Sequence, residues 1–558
     1  MMEREVTDRV ESGAARIRAP REDAMSRSRF LTASVLLTLS LMLWQFAWAF
    51  SAPALRGPDE PMHVNSIMRL ATTGTWPAPG EAMVTPNIIT ASRQAGLLQP
   101  EATDYRFEHR YLLHGSEYAG LTPDVGQAEV VPHAERTAFG AVPPHPPGAT
   151  VIDQMTQHPP LYYALGAALT KACGLDRAPW DEAVLTLRML SVFLLIPLTP
   201  CLIYTARRLG APRPWALAAG LIPVAIPQVY HIGTMVTNDA LATGAGALVM
   251  AALAKAGTER ISWRTISLVG LSLGFALWSK GQILVFGLPL IVVFALRPEP
   301  WVTRLKAIIA SGTMSLLIGW WWIANLVRYH TIQPAGYPAE INPNWDPSQA
   351  DLGHFLSTAA DSFNRSFWAS YGWLEVTYHP LWLRTLLTIG LIALALIGTW
   401  RCAQPRTGLA LGLTIIGLLA LIFGQAWVGP YTGAGYVAGV QGRYAFPLLV
   451  ALAVIVFAFR RRWQLVAFAV ACLASGAIGL IELLRACYQS ANWWMRPDLA
   501  EAQGVGMGTA RLVMTLGTLG ALAALAIVLA SARFAPPYLT APSIPSSGPA
   551  RSGVSTAQ

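Results

Sequence analysis

RGPDEPMH, Arg56 to His63, follows directly on the first long apolar run of the chain and places two adjacent carboxylates and a histidine at its mouth. Upstream, residues 30–50 form a predominantly apolar run with no charged residue, enough to cross a bilayer at roughly 20 residues per helix. AWA at 47–49 mimics a signal-peptidase site, but the run is too long for a signal peptide and further apolar runs follow it. Downstream, Pro61 suits the first turn of a helix, where its missing N–H costs nothing, with Asp59 and Glu60 at or just before the N-cap. Val64, Ile67, Met68 and Ala71 repeat at helical spacing and Gly74 offers a stop, which predicts a short helix lying on the membrane by one apolar face. Spacing of i and i+4 puts Asp59 and His63 near one another. Two readings stand side by side. The carboxylates cap a helix and favour its dipole, for which one suffices. Or one is a general base while the other groups position it or hold a divalent cation.

The rest of the chain supplies the membrane. Of 558 residues, 53% are hydrophobic and only 13% charged, with 20 Trp, far from a soluble domain. Mean hydropathy is +0.42. The fold class is an all-α polytopic membrane protein. Its +9 formal charge sits in short Arg and Lys clusters between apolar runs, as the positive-inside rule requires, and so reports topology rather than nucleic acid. Cys173, Cys201, Cys402, Cys472 and Cys487 are scattered without CxxC spacing, indicating neither a disulfide framework nor a zinc site.

Counting apolar runs predicts about twelve crossings: 30–50, 184–206, 214–231, 239–255, two short ones from 265–296 split near Lys280, 307–328, 381–400, 407–428, 444–459, 463–485 and 511–531. With a cytoplasmic N-terminus, the basic clusters Arg207/Arg208/Arg213, Lys255/Arg260/Arg264, Arg297/Arg304/Lys306, Arg401/Arg406 and Arg460–Arg462 all fall on one side. The insertion 51–183, the segment 329–380 and the loops around Asp239, Tyr436 and Trp494 fall on the other. Residues 1–29 are an Arg-rich cytoplasmic end, 30–531 the membrane domain, and 532–558 a Pro/Ser/Ala/Gly-rich disordered cytoplasmic tail.

Several polar stretches interrupt this pattern. DQMTQHPPLYYALGAALTKACG, 153–174, carries His158 and then a run too short for a span, predicted as a second interfacial helix with Leu161, Tyr162, Leu165, Ala168 and Leu169 on one side. Lys280 in LWSKGQ is either a snorkelling lysine or a cation for a lipid phosphate. Asn238 and Asp239 read first as helix caps. Arg443 in VQGRYAFP breaks the neutrality of the far side, and its guanidinium can grip a phosphate with two parallel hydrogen bonds. GWWWIANLVRYH, 319–330, and SFWASYGWLEV, 366–376, read as interfacial aromatic anchors, the second also able to stack on a sugar.

In their order, PDEPMH, QHPPLYY, ND, a Lys in the middle spans, GWWWIANLVRY and QGRYAFP resemble the polytopic GT-C glycosyltransferases. The similarity runs from about 30 to 530 and points to a bacterial branch of predicted membrane proteins, with protein O-mannosyltransferases and lipid A aminoarabinose transferases more distant. It implies a GT-C-like fold in a bacterial inner membrane, with both termini cytoplasmic and an extracytoplasmic active site. It also implies a transferase that moves a hexose or pentose from a polyprenyl-phosphate sugar to an acceptor hydroxyl on a glycan, lipid or protein, with inversion. Asp59 is then the base with Glu60 its neighbour; His63, His158, Lys280 and Arg443 bind substrate or lipid phosphate. Asp153, Asp239, Asp346 and Asp361 are left as candidates for a second carboxylate, and metal use stays open. A flippase or transporter of lipid-linked sugar, or a polyprenyl-diphosphate-dependent glycan ligase or polymerase, are the competing classes.

Overall fold

Ser26 starts the first span by accepting the Arg29 amide, and α1 (Arg27–Ser51) runs on with Leu37, Leu41, Trp44 and Trp48 turned into the bundle. This is a computed structural model; it describes residues 24–116, 130–337, 342–488 and 497–536. The Arg-rich stretch before residue 24, the Trp494 loop and the tail from 537 lie outside the described residues.

Among the described residues, eight helices are long and apolar enough to cross a membrane, or nine if Arg213–Ala225 and Pro227–Gly233, bent by 69°, count as one span. The expected twelve is therefore not reached by full-length helices. The other expected crossings fall on Trp263–Ala276, Gly281–Ala295 and Gly442–Ala458. The last is a 3-10 helix of 17 residues. At about 2.0 Å of rise per residue it reaches roughly 34 Å, so tighter winding lets a short segment match the hydrocarbon thickness. The chain also breaks at Lys280, between Trp263–Ala276 and the 3-10 turn Gly281–Phe286.

One end of the bundle gathers the basic connections. Arg213 donates to Met25 O (2.7 Å), Arg208 to Thr258 Oγ1 (2.9 Å), Arg297 to Gly257 O (2.6 Å) and Arg401 to Ala458 O (2.8 Å). At the opposite end, the insertion after α1 builds its own core from Val64, Ile67, Ile88, Leu97, Phe139 and Tyr162, closed beneath by Trp180, Val184 and Val236.

The helix after RGPDEPMH is α2 (Glu60–Thr73), ended by Gly74 in the left-handed conformation. It does not lie on a surface by one face: every residue from Glu60 to Arg69 is buried. The insertion folds over its polar side, where Asn65 (2.7 Å), Ser66 (2.7 Å) and Arg69 (2.8 Å) all donate to Asp153 Oδ2. Its apolar side meets α3 (Leu161–Cys173), the helix expected from QHPPLYY. A Cβ on Gly166 would stand 2.8 Å from Ile67 Cδ1, so any larger residue there would have to displace the Ile67 side chain. Tyr162, Tyr163, Gly166 and Thr170 of α3 face inward while Leu165 faces out. The two remaining helices that frame the site are α4 (Trp180–Leu195) and α5 (Asn238–Thr258).

Candidate active site

Asp59 is the N-cap of α2 by position but not by bonding. Its backbone is left-handed (φ 59°, ψ 10°) and its side chain makes no capping hydrogen bond. A carboxylate spared from capping is available for other work, and strain at such a residue persists only where the surroundings hold it. The Asp59 side chain is 27% exposed and reaches Arg443 Nη2 through Oδ2 at 3.4 Å. Gln154 Nε2 donates to its other oxygen at 3.4 Å.

Glu60 turns the opposite way. It is fully buried and takes Arg188 Nε on Oε1 (2.8 Å) and Nη2 on Oε2 (2.7 Å). The Gly57 and Val236 amides complete its shell at 3.1 and 2.9 Å. Arg188, rising from α4, also donates to Ala49, Ala52 and Pro53 carbonyls at 2.6–3.0 Å. Glu60 and Arg188 thus fasten the turn between α1 and α2, and with it the conformation of Asp59.

Three further segments close on Asp59. Thr237 caps α5 by accepting the Asp239 amide, so the Asp239 carboxylate is not needed as the cap that its position suggested. Asp239 instead accepts from Lys280 Nζ at 2.5 Å and faces Arg443 Nη1 at 3.5 Å. Arg443 thereby bridges Asp59 and Asp239. It arrives on the first turn of Gly442–Ala458, where a Cβ on Gly442 would stand 2.4 Å from Phe367 N. Tyr444 lies beneath both cations, its ring 4.9 Å from Lys280 Nζ and 5.6 Å from the Arg443 guanidinium carbon. Arg443 Nε is buried and makes no hydrogen bond among the described residues.

Both predicted histidines line the same place. His63 Nδ1 shares a hydrogen bond with Tyr163 OH (3.0 Å), the rings stacked at 5.7 Å. Burial, reinforced by the neighbouring His158, Lys280 and Arg443, pushes its pKa well below the ordinary value. Burial likewise takes His158 down to about 3, Lys280 and Arg443 adding to the effect and Asp239 opposing it. Both imidazoles are neutral at physiological pH, and His158 Nδ1 has no hydrogen-bond partner among the described residues.

Of the six residues singled out from the sequence, Asp59, His63, His158, Lys280 and Arg443 converge, while Glu60 stands behind with its shell complete. Of the candidate second carboxylates, Asp239 is at the site. Asp153 is consumed by α2, Asp346 caps Ser348, and Asp361 pairs with Arg384 (3.2 Å). Arg188, Gln154, Tyr163 and Tyr444 were missed, since nothing local marks a residue whose partner lies a hundred positions away. Among the described residues, no three His, Cys, Asp or Glu side chains are placed to share a metal ion, and none of the cysteines is disulfide-bonded.

No curated protein matches this chain. Among solved structures, ArnT from Cupriavidus metallidurans in the apo state is similar at 15% identity over 90% of this chain and 76% of that one, TM-score 0.46. The same protein bound to undecaprenyl phosphate is similar at 14% identity over 91% and 76%, TM-score 0.45. The Archaeoglobus fulgidus oligosaccharyltransferase in its apo form is similar at 11% identity over 91% of this chain and 56% of that one, TM-score 0.35. The family described as predicted membrane protein (DUF2142) matches residues 42–452, well over half of the chain and every residue of the site, and the chain belongs to that family.

Proposed function

We propose that the protein is a membrane glycosyltransferase that moves a sugar from a polyprenyl-phosphate donor to an acceptor hydroxyl, with inversion and with Asp59 as general base. One observation carries this reading: a partly exposed carboxylate, unused by its own helix, stands 3.4 Å from a buried guanidinium that is itself grouped with a lysine. A base beside two cations is what such a transfer requires. Asp59 takes the proton of the acceptor hydroxyl as its oxygen attacks the anomeric carbon. The bond from that carbon to the phosphate oxygen breaks, its electron pair leaves with polyprenyl phosphate, and the attack from the opposite face inverts the centre. Arg443 and Lys280 offset the charge that grows on the leaving phosphate where water is scarce. The unpartnered Arg443 Nε and His158 Nδ1 supply further polar contacts for phosphate or sugar oxygens. Glu60 acts only through the backbone, by fastening the loop.

The positive-inside rule puts the basic end of the bundle in the cytoplasm and the site on the far face of a bacterial inner membrane, where a lipid-anchored donor meets its acceptor. A carrier of lipid-linked sugar is less well served, because Asp59, Asp239, Lys280 and Arg443 sit at helix ends rather than along a path through the midplane. The test uses purified protein in lipid nanodiscs, radiolabelled polyprenyl-phosphate sugars and an envelope extract as acceptor source. Asp59→Asn keeps the left-handed backbone that Asn tolerates and removes the base. A loss of transfer by at least about 100-fold is expected for general-base removal; transfer at the wild-type rate would rule Asp59 out, and sugar crossing the bilayer without donor consumption would favour the carrier.

A further inference from the structure

Gln154 reaches the Asp59 carboxylate from a segment that is itself tied to the helix Asp59 begins. Asp153 caps the 3-10 turn Gln154–Gln157 by accepting the Met155 amide on Oδ1 at 3.0 Å. Its other oxygen is held by Asn65, Ser66 and Arg69 of α2, and its amide donates to Ala82 O at 2.7 Å. The His158 amide closes the turn on Met155 O at 3.0 Å. Contacts therefore run from Asp59 along α2 to Asp153 and return through Gln154 Nε2, 3.4 Å from Asp59 Oδ1. From the outside, the segment 331–337 lies against the same turn. A Cβ on Gly336 would stand 2.7 Å from Gln154 O and 2.9 Å from Gln154 Cβ. Gln333 Nε2 donates to Gln157 Oε1 at 3.4 Å, while its own oxygen lies against Gly281, the neighbour of Lys280. Asn325 Nδ2 holds this segment by donating to Ile332 O at 3.2 Å. Gln154 is thus seated from both sides, by α2 through Asp153 and by Gly336.

Among the described residues the Asp59 carboxylate has two polar partners, Arg443 on Oδ2 and Gln154 on Oδ1, both at 3.4 Å. They differ in kind. A guanidinium brings a full charge, which favours the ionised carboxylate and so works against its taking a proton. An amide is a neutral donor, and it orients a carboxylate at a smaller cost to its basicity. We infer that Gln154 is a positioning residue for Asp59: it fixes Oδ1, so that Oδ2 is the oxygen presented to the acceptor hydroxyl. This rests on the proposed role of Asp59 as base. Oδ2 takes the hydroxyl proton as the hydroxyl oxygen bonds to the anomeric carbon, and Gln154 keeps its own protons throughout. A phosphate that engages Arg443 leaves Gln154 as the group that still holds the carboxylate in place.

The test compares wild type, Gln154→Leu and Gly336→Ala, each as the full chain in nanodiscs, by electron cryo-microscopy of the Asp59 side chain and by the kinetics of sugar transfer. In Gln154→Leu the carboxylate should leave the orientation it holds in the wild type. In the same variant kcat should fall by about tenfold or more, with KM for the polyprenyl-phosphate sugar and the melting temperature unchanged. Gly336→Ala keeps the amide but displaces the Gln154 backbone, so it should lower kcat in the same way, and it serves if Gln154→Leu does not fold. The same Asp59 orientation in wild type and Gln154→Leu would overturn the inference. So would a wild-type kcat in either variant, or a loss that appears only as a raised KM or a lowered melting temperature. Absence of sugar transfer by the wild type counts against the transferase reading only, because the orientation of the carboxylate decides the positioning role without it.

Discussion

Glu60 and Asp59 are neighbours in sequence, and the structure gives them separable consequences on mutation. Glu60→Ala strips the buried Arg188 of its carboxylate and leaves the Gly57 and Val236 amides without their acceptor. Removing one member of a buried pair costs about 3–5 kcal/mol, because the remaining charge is stranded. Arg188 keeps three backbone carbonyls, which places the expected cost at the lower end, about 3 kcal/mol. At about 2 °C per kcal/mol for a long chain, the melting temperature falls by about 6 °C. The 20 tryptophans make intrinsic fluorescence a direct readout of unfolding in detergent. Arg188→Met alone strands Glu60 and should cost as much or more, whereas the double variant Glu60→Ala/Arg188→Met should recover part of the loss, a coupling of about 1–3 kcal/mol. Sugar transfer by the surviving folded fraction of Glu60→Gln should stay within about tenfold of wild type, since that variant touches no reacting atom. The reasoning is refuted if Glu60→Ala melts with the wild type, or if Glu60→Gln abolishes transfer while its melting is unchanged.

Gly442→Ala puts a methyl group 2.4 Å from Phe367 N and 2.5 Å from Phe363 O, both backbone, so the turn carrying Arg443 must move. On the proposed reading, overpacking of about 1–3 kcal/mol displaced onto that turn should weaken polyprenyl phosphate binding by about tenfold, read by titration in nanodiscs; unchanged affinity would mean Arg443 is not the phosphate cation. His158 gives a pH dependence of defined sign. Its folded pKa, about 3, lies below that of the unfolded chain, so its contribution is complete above the unfolded value and is lost as pH falls toward the folded one. Wild type should lose about 1.4 kcal/mol per pH unit below roughly pH 6.5 from this residue, and His158→Gln should flatten that slope. Equal melting slopes between pH 7 and 5 in both proteins would contradict it.

The membrane spans were legible because their signal is local: about 20 apolar residues between basic clusters need no knowledge of the partner. The count was less so. Pro227 and the break before Gly281 cut apolar runs into pieces, and Gly442–Ala458 winds as a 3-10 helix, a choice that apolar periodicity does not announce. The site was legible to the extent that its residues are costly where they stand. A lysine in LWSKGQ and an arginine in QGRYAFP ask for partners, and the structure supplies one carboxylate for both, Asp239. Asp239 was obscured by looking like a cap, a role that Thr237 fills one turn edge earlier. Glu375 carried no signal at all, because in SYGWLEV the aromatics dominate and its partner Arg56 lies far upstream in the chain.

Charge bookkeeping at the site bears on how a donor enters it. Asp59 and Asp239 carry two negative charges, Lys280 and Arg443 two positive ones, and the neutral histidines add none, so the four charged groups balance. On the proposed reading an incoming phosphate is a third anion, and it can engage Arg443 only by loosening the guanidinium from the carboxylates it now faces at 3.4 and 3.5 Å. Those distances are long for hydrogen bonds, whereas Lys280 and Asp239 are in direct contact at 2.5 Å. On that reading the looser pair is the one that yields: Arg443 would turn to the phosphate, Lys280 would stay with Asp239, and Asp59 would lose its counterion as the donor arrives. A carboxylate released from a guanidinium is a stronger base than one still held by it. On the proposed reading the donor itself frees Asp59 for the acceptor, and Asp239 is the fixed anion that keeps the second cation in place meanwhile.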